Sequence, residues 1–191
     1  MNAWDSGFLC GRFQHFHAGH ESLVENCLKI CDRMFIFVGS AQESGTERNP
    51  YDVETRIKVI KAIYGDNSNI IVKPLMDLTN ENDITPDWGR YVLQNIKHYL
   101  HKAPEVMIYG NDEARSRWFD PEDIKDTMEI VVPRSKLKIS ATEMREFLVR
   151  DQREEWMKFV NPRLHKYYDD LRAELLSCDF YIEKFEYLMN S

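Results

Sequence analysis

The chain has 191 residues, 43% of them apolar and 30% charged, with four cysteines and a formal net charge of −7. At about 100 to 200 residues per domain this is one domain with a short appendage, and roughly 70% of the unfolded surface can be buried without a disulfide or metal staple. The acidic balance lacks the basic footprint of a duplex nucleic-acid binder, the cysteines lack CxxC zinc spacing, and no apolar run approaches the roughly 18 residues of a membrane span. A soluble, cytoplasmic protein with neither nucleic acid nor membrane as partner is the expectation.

In chain order, the apolar run Gly7–Cys10 predicts a first strand and the pattern Gly19–Cys31 a first helix. Cys27 and Cys31 then lie one turn apart and read as small buried hydrophobes. Strands follow at Met34–Gly39, Asn69–Pro74, Glu105–Gly110 and Met128–Val132, separated by helical patterns at Val53–Tyr64, Pro86–Leu100 and Asn111–Phe119. Thr85 before Pro86 reads as a cap followed by proline at the first helical position. Ser140-Ala141-Thr142-Glu143 is a capping box, which starts another helix at Ser140. Short strands with continuous apolar character, alternating with amphipathic helices, specify an α/β protein with a doubly wound five-stranded parallel sheet. After Arg150 the chain becomes aromatic-rich, with Trp156, Phe159, Leu164, Tyr168, Leu171, Leu175 and Tyr181 at three- and four-residue spacings. Two or three packed helices, broken at Pro162, are expected there. Residues 1–150 would form the main domain and 151–191 a helical extension packed on it or forming a homo-oligomer contact.

The stretch Gly11-Arg12-Phe13-Gln14-His15-Phe16-His17-Ala18-Gly19-His20 follows the first strand and opens the first helix. Ligands of open α/β sheets bind beyond the carboxyl ends of the strands, and a helix N-terminus offers free N–H groups to an anion. Three histidines there suggest zinc, but they lack a cysteine or carboxylate partner at ligand spacing. No Walker A loop and no GxGxxG occurs.

His17-Ala18-Gly19-His20 resembles the HxGH signature of the nucleotidylyltransferase superfamily, and the preceding Gly11-Arg12-Phe13-Gln14 resembles the GRFQPFHxGH form of its nicotinamide-mononucleotide adenylyltransferases. Ile139-Ser140-Ala141-Thr142-Glu143-Met144-Arg145 is similar to the ISxTxxR motif of the same family. Gly39-Ser40-Ala41-Gln42, Asn49-Pro50-Tyr51 leading to Arg56, and Asp77 with Trp88 echo the subgroup further. Two positions depart from it: His15 stands where the family usually has Pro, which should loosen the loop, and Thr55 where it usually has Glu, which leaves the role of Arg56 open.

The resemblance implies a Rossmann-like fold and transfer of the adenylyl group of ATP to nicotinamide mononucleotide (NMN), giving NAD and pyrophosphate. It implies His17, His20, Arg12 and Arg145 as the catalytic set. Gly11, Phe13, Gly19, Asn111, Ile139, Ser140, Thr142 and Arg145 are its candidates for ATP binding, and Gln14, Ser40, Asn49, Asp77 and Trp88 for the mononucleotide. Mg²⁺ would ride on the ATP phosphates, with no protein ligand. Trp88 suits a cationic pyridinium ring and equally a core anchor on its helix. The run Pro133–Lys138 concentrates three positive charges before Ser140 and suits either phosphate or solvent. Other acceptors (FMN, phosphopantetheine, an alcohol phosphate) and a non-catalytic nucleotide sensor are the alternatives.

Overall fold

The computed structural model describes residues 2–65, 67–80, 85–110, 115–133 and 139–189. Five strands, β1 (Trp4–Gly11), β2 (Cys31–Val38), β3 (Ile70–Pro74), β4 (Val106–Gly110) and β5 (Met128–Val132), form one sheet in the order β3-β2-β1-β4-β5. Every adjacent pair is parallel. The strand order reverses between β1 and β4, and this switch point is where such a sheet opens a crevice.

Residues alternate across the sheet because side chains of a strand point to opposite faces. Phe8 and Cys10 of β1, with Phe35 and Phe37 of β2, join the core under α3 (Pro86–Leu100). Leu9, Met34, Ile36 and Val38 face the other layer, built from α1 (Ala18–Leu28), α2 (Val53–Tyr64) and α4 (Ala141–Val149). Beyond α4 come α5 (Arg153–Met157), a 3-10 segment Pro162–Tyr167, α6 (Tyr168–Leu176) and α7 (Asp179–Met189). Trp156, Leu164, Tyr168 and Leu175 from this tail are wholly buried in the α1/α2 layer. No helix among the described residues is long and apolar enough to cross a membrane.

Several boundaries differ from the sequence pattern. The first helix stops at Leu28, and Cys31 belongs to β2, paired with Trp4, because its register with β1 outweighs continuation of the helical spacing. Cys27 and Cys31 are therefore on different elements, both buried and free, and close over Gly7, where an added Cβ would lie 2.2 Å from Cys27 Sγ. The expected helix at 111–119 is a single 3-10 turn, Arg115–Trp118, among the described residues. Thr85 caps α3 without a side-chain hydrogen bond, so Pro86 carries that start.

Candidate active site

A cavity of about 670 Å³ opens at the carboxyl ends of β1 and β2. Gly11, Arg12, Phe13, Gln14, His17 and His20 form one wall, and Ser140, Thr142 and Arg145 another. His17 is the N-cap of α1, its Nδ1 accepting from the Gly19 N–H at 3.1 Å, which leaves the proton of the neutral ring on Nε2. Its ring stacks on His20 with centroids 4.0 Å apart. Glycine at 19 is required here, since a Cβ would sit 2.9 Å from His17 Cε1. Phe13 and Phe16 pack against His20 with centroids at 5.0 and 5.3 Å.

The second wall starts with the capping box at α4: the Glu143 N–H donates to Ser140 Oγ, and the Ser140 N–H to Glu143 Oε2. One turn on, the Arg145 guanidinium donates to the Gln14 carbonyl (2.8 Å), the Tyr181 hydroxyl (2.7 Å) and Thr142 Oγ1 (3.3 Å). Two helix N-termini more than 100 residues apart in the chain are thus bonded across one cavity. Both bring positive helix-dipole ends to it, although the first N–H groups of α1 are already bonded within the protein, Ala18 to the Phe159 carbonyl and Gly19 to His17 Nδ1.

The loops between these walls are held by a residue whose role the sequence left open. Phe13 and Ser40 both have left-handed backbones, φ 50° and 45°, a conformation that costs a non-glycine residue about 1 kcal/mol or more. The buried Arg56 guanidinium donates to the carbonyls of Arg12 (2.8 Å), Gly39 (2.7 Å) and Ser40 (3.1 Å), and its Nε to that of Asp52 (3.0 Å). Burial pulls its pKa down to about 10, so it stays protonated at neutral pH. Thr55 donates its hydroxyl to Glu174, which also accepts the Asp52 N–H. A carboxylate therefore reaches the start of α2 from α6 instead of from position 55.

On the far side, Ser40 and Gln42 donate to the Asp77 carboxylate at 3.2 and 2.9 Å. Trp88, 5% exposed, shows its ring to the cavity and packs against Tyr91 and Trp118. Its Nε1 has no hydrogen-bond partner among the described residues.

Not every expected site residue lines the cavity. Ile139 is packed in the core, as its apolar side chain dictates, and Gly19 and Asn49 lie behind the wall. Gln14 faces the cavity but spends its amide on the loop, accepting from the Tyr51 N–H at 3.0 Å and donating to Asn49 Oδ1 and the Tyr51 carbonyl. Asn111 and residues 134–138 lie outside the described residues. His15 does not loosen the loop. It is 3% exposed, its Nδ1 donates to the Phe16 carbonyl (2.8 Å), and its Nε2 accepts from Trp156 Nε1 (2.8 Å). Burial, opposed by the Phe16 hydrogen bond and aided by the Arg145 charge, pulls its pKa down to about 4.

The sequence reading missed Glu47, Arg48, Glu146, Phe180, Tyr181 and Lys184, all of which line the cavity. Tyr181 was visible only as a member of an aromatic stripe, which reads as core. Among the described residues no group of three His, Cys, Asp or Glu side chains is placed to hold a metal ion. Asp77 is held by hydroxyl and amide donors and Glu146 by Lys184.

A doubly wound parallel sheet with two helix N-termini converging at its switch point defines a nucleotide-binding α/β protein. The chain belongs to the cytidylyltransferase-like family, whose model matches residues 8–161. It is 27% identical over 172 residues to a nicotinamide-nucleotide adenylyltransferase of Saccharolobus solfataricus, covering 88% of this chain and 92% of that protein. It is 30% identical over 148 residues to the Haloarcula marismortui protein of the same name, covering 76% and 72%. Its fold matches a bifunctional NMN adenylyltransferase/ADP ribose pyrophosphatase from Francisella tularensis, solved with AMP and a manganese ion, at a TM-score of 0.69 and 17% identity. That match covers 97% of this chain, which spans only about half (55%) of the Francisella chain.

Proposed function

We propose that this protein transfers the adenylyl group of ATP to nicotinamide mononucleotide, forming NAD and releasing pyrophosphate, as a cytoplasmic enzyme. The observation that carries the reading is the convergence of His17, His20 and Arg145 on one cavity. The names of its archaeal relatives agree with it.

The nucleophile is the 5′-phosphate of the mononucleotide. Its second pKa near 6 leaves it largely dianionic at neutral pH, so no general base is required. An oxygen of that phosphate bonds to the α-phosphorus of ATP as the bond from α-phosphorus to the α,β-bridging oxygen breaks. The barrier lies in bringing two polyanions together and in the charge of the in-line transition state, so positioning and electrostatics supply the catalysis. The stacked imidazoles donate to α-phosphate and bridging oxygens, Arg12 contacts phosphate, and Arg145 with the α4 N-terminus receives the departing pyrophosphate. Arg12 and Arg145 would hold the ATP phosphates that carry Mg²⁺, and the bound ion would supply further charge neutralisation. The Trp88 face receives the cationic nicotinamide ring, an attraction of about 0.5 to 2 kcal/mol. Asp77 adds a complementary charge beside it.

Purified protein given ATP, Mg²⁺ and the mononucleotide should form NAD and pyrophosphate in equal amounts. His20→Ala should lower kcat by about 100-fold with an unchanged melting temperature, the usual cost of one preorganised donor. Robust turnover of FMN or phosphopantetheine in place of NMN, or tight ATP binding with no turnover at all, would refute the assignment.

A further inference from the structure

We propose that Tyr181, on the C-terminal helix α7, is a positioning residue for adenylyl transfer, setting the Arg145 guanidinium that receives the pyrophosphate; this rests on the function proposed above. Tyr181 lies beyond the residues matched by the family model, which end at 161. It is 4% exposed, yet its side chain borders the cavity. Its hydroxyl does two things at once: it accepts from Arg145 Nε at 2.7 Å and donates to the Glu47 carbonyl at 2.8 Å. The guanidinium carbon is 6.0 Å from the ring centroid, beyond the hydroxyl end of the ring.

Without Tyr181, Arg145 is held at two points, the Gln14 carbonyl and its neighbour Thr142. A planar guanidinium fixed at Nη1 and Nη2 by a carbonyl and a 3.3 Å contact retains a hinge about its Nε, the atom the tyrosine hydroxyl occupies. The third contact fixes the plane, and with it the direction in which the remaining N–H bonds face the cavity. The same helix start also docks the loop ahead of Asn49, with Cys178 Sγ donating to the Gly45 carbonyl at 3.1 Å. α7 therefore ties the second motif to the loop beside the first, and the hydroxyl is the single atom shared by both ties.

Tyr181→Phe keeps the ring and its packing and removes only the hydroxyl. Losing one hydrogen bond to a charged group corresponds to roughly a 10-fold change in rate. The expected result is a kcat about 10-fold lower, with the KM for the mononucleotide unchanged and the melting temperature within a few degrees of wild type. The decisive measurement is the double-mutant cycle with Arg145→Ala, because a residue that acts through Arg145 loses its effect once Arg145 is gone. Equal losses of kcat from Tyr181→Phe in the wild-type and Arg145→Ala backgrounds would overturn the proposal. So would an unchanged kcat, or a rise confined to the KM for the mononucleotide, which would assign the hydroxyl to the Glu47 loop. A wild-type protein that makes no NAD overturns the proposed function and this role with it. A wild-type protein that makes NAD while Tyr181→Phe is indifferent overturns this role alone.

Discussion

At the scale of single residues, His15 shows how one substitution inside a recognisable motif redirects a loop. Proline has no side-chain acceptor, whereas the imidazole here accepts from Trp156 at one nitrogen and donates to the Phe16 carbonyl with the other. That arrangement needs the neutral ring: a proton on Nε2 would face the indole N–H. The folded pKa of about 4 lies below the ordinary 6.5, so between those values the unfolded chain binds a proton that the folded chain refuses. Stability contributed by residue 15 is complete above about pH 6.5 and falls as the pH drops toward 4. From pH 7 to pH 5 the loss is about 2 kcal/mol. Urea denaturation at those two pH values should show a smaller drop for His15→Phe than for wild type by about that amount, even though the variant is less stable at both. Parallel drops in the two proteins would remove His15 as the acid-sensitive group.

At the scale of elements, the approach of α3 to the 3-10 turn at Arg115–Trp118 decides where the Trp88 face stands. Gly89 makes this possible: a Cβ there would lie 2.1 Å from the Trp118 carbonyl oxygen and 2.9 Å from Phe119 Cδ1, and backbone cannot yield as a flexible side chain can. Gly89→Ala should push α3 outward and carry Trp88 with it. Overpacking of this kind costs about 1 to 3 kcal/mol, or roughly 2 to 4 °C of melting temperature per kcal/mol at this size. The KM for the mononucleotide should rise several-fold more than that for ATP; equal increases would place Trp88 away from the nicotinamide. The sequence could not announce this glycine, since a glycine inside a helical pattern reads only as a weak helix former. What it announced well were features with local causes. The Ser140 capping box and the start at Pro86 are set by neighbours within four residues, and both stand as expected. The end of α1 and the place of Cys31 are set by pairing with β1, a contact 27 residues away along the chain, and there the periodicity overran. Likewise Gln14 and Asn49 were legible as site residues by motif while the role of Arg56 stayed open, and only the fold distinguishes a side chain that faces the cavity from one that braces its wall.

At the scale of the whole molecule, the tail from Asp151 onward completes the catalytic half of the structure. Three contacts dock the segment 156–161 on the first motif and the first turn of α1: Trp156 Nε1 to His15, the Ala18 N–H to the Phe159 carbonyl at 2.8 Å, and Asn161 Nδ2 to Glu21 at 2.7 Å. Glu174 reaches the start of α2, and Tyr181 the guanidinium of α4. The buried side chains of Trp156, Leu164, Tyr168, Leu171 and Leu175 belong to the same core cluster as Leu9 and Ile36 of the sheet. Truncating one such side chain costs about 2 to 5 kcal/mol, against a total stability of about 5 to 15 kcal/mol for a domain. Removing all five exceeds what the rest can supply, so residues 1–150 should not fold alone. A chain ended after Arg150 is expected to lack a cooperative thermal transition by circular dichroism and to form no NAD. A chain ended after Ser177, which keeps those five side chains and loses Cys178 and α7, should still melt cooperatively and bind ATP, with a reduced kcat. If the shorter chain melts cooperatively near the full-length temperature, the tail is an accessory to a self-sufficient sheet, and the line drawn at residue 150 from composition is a true domain boundary.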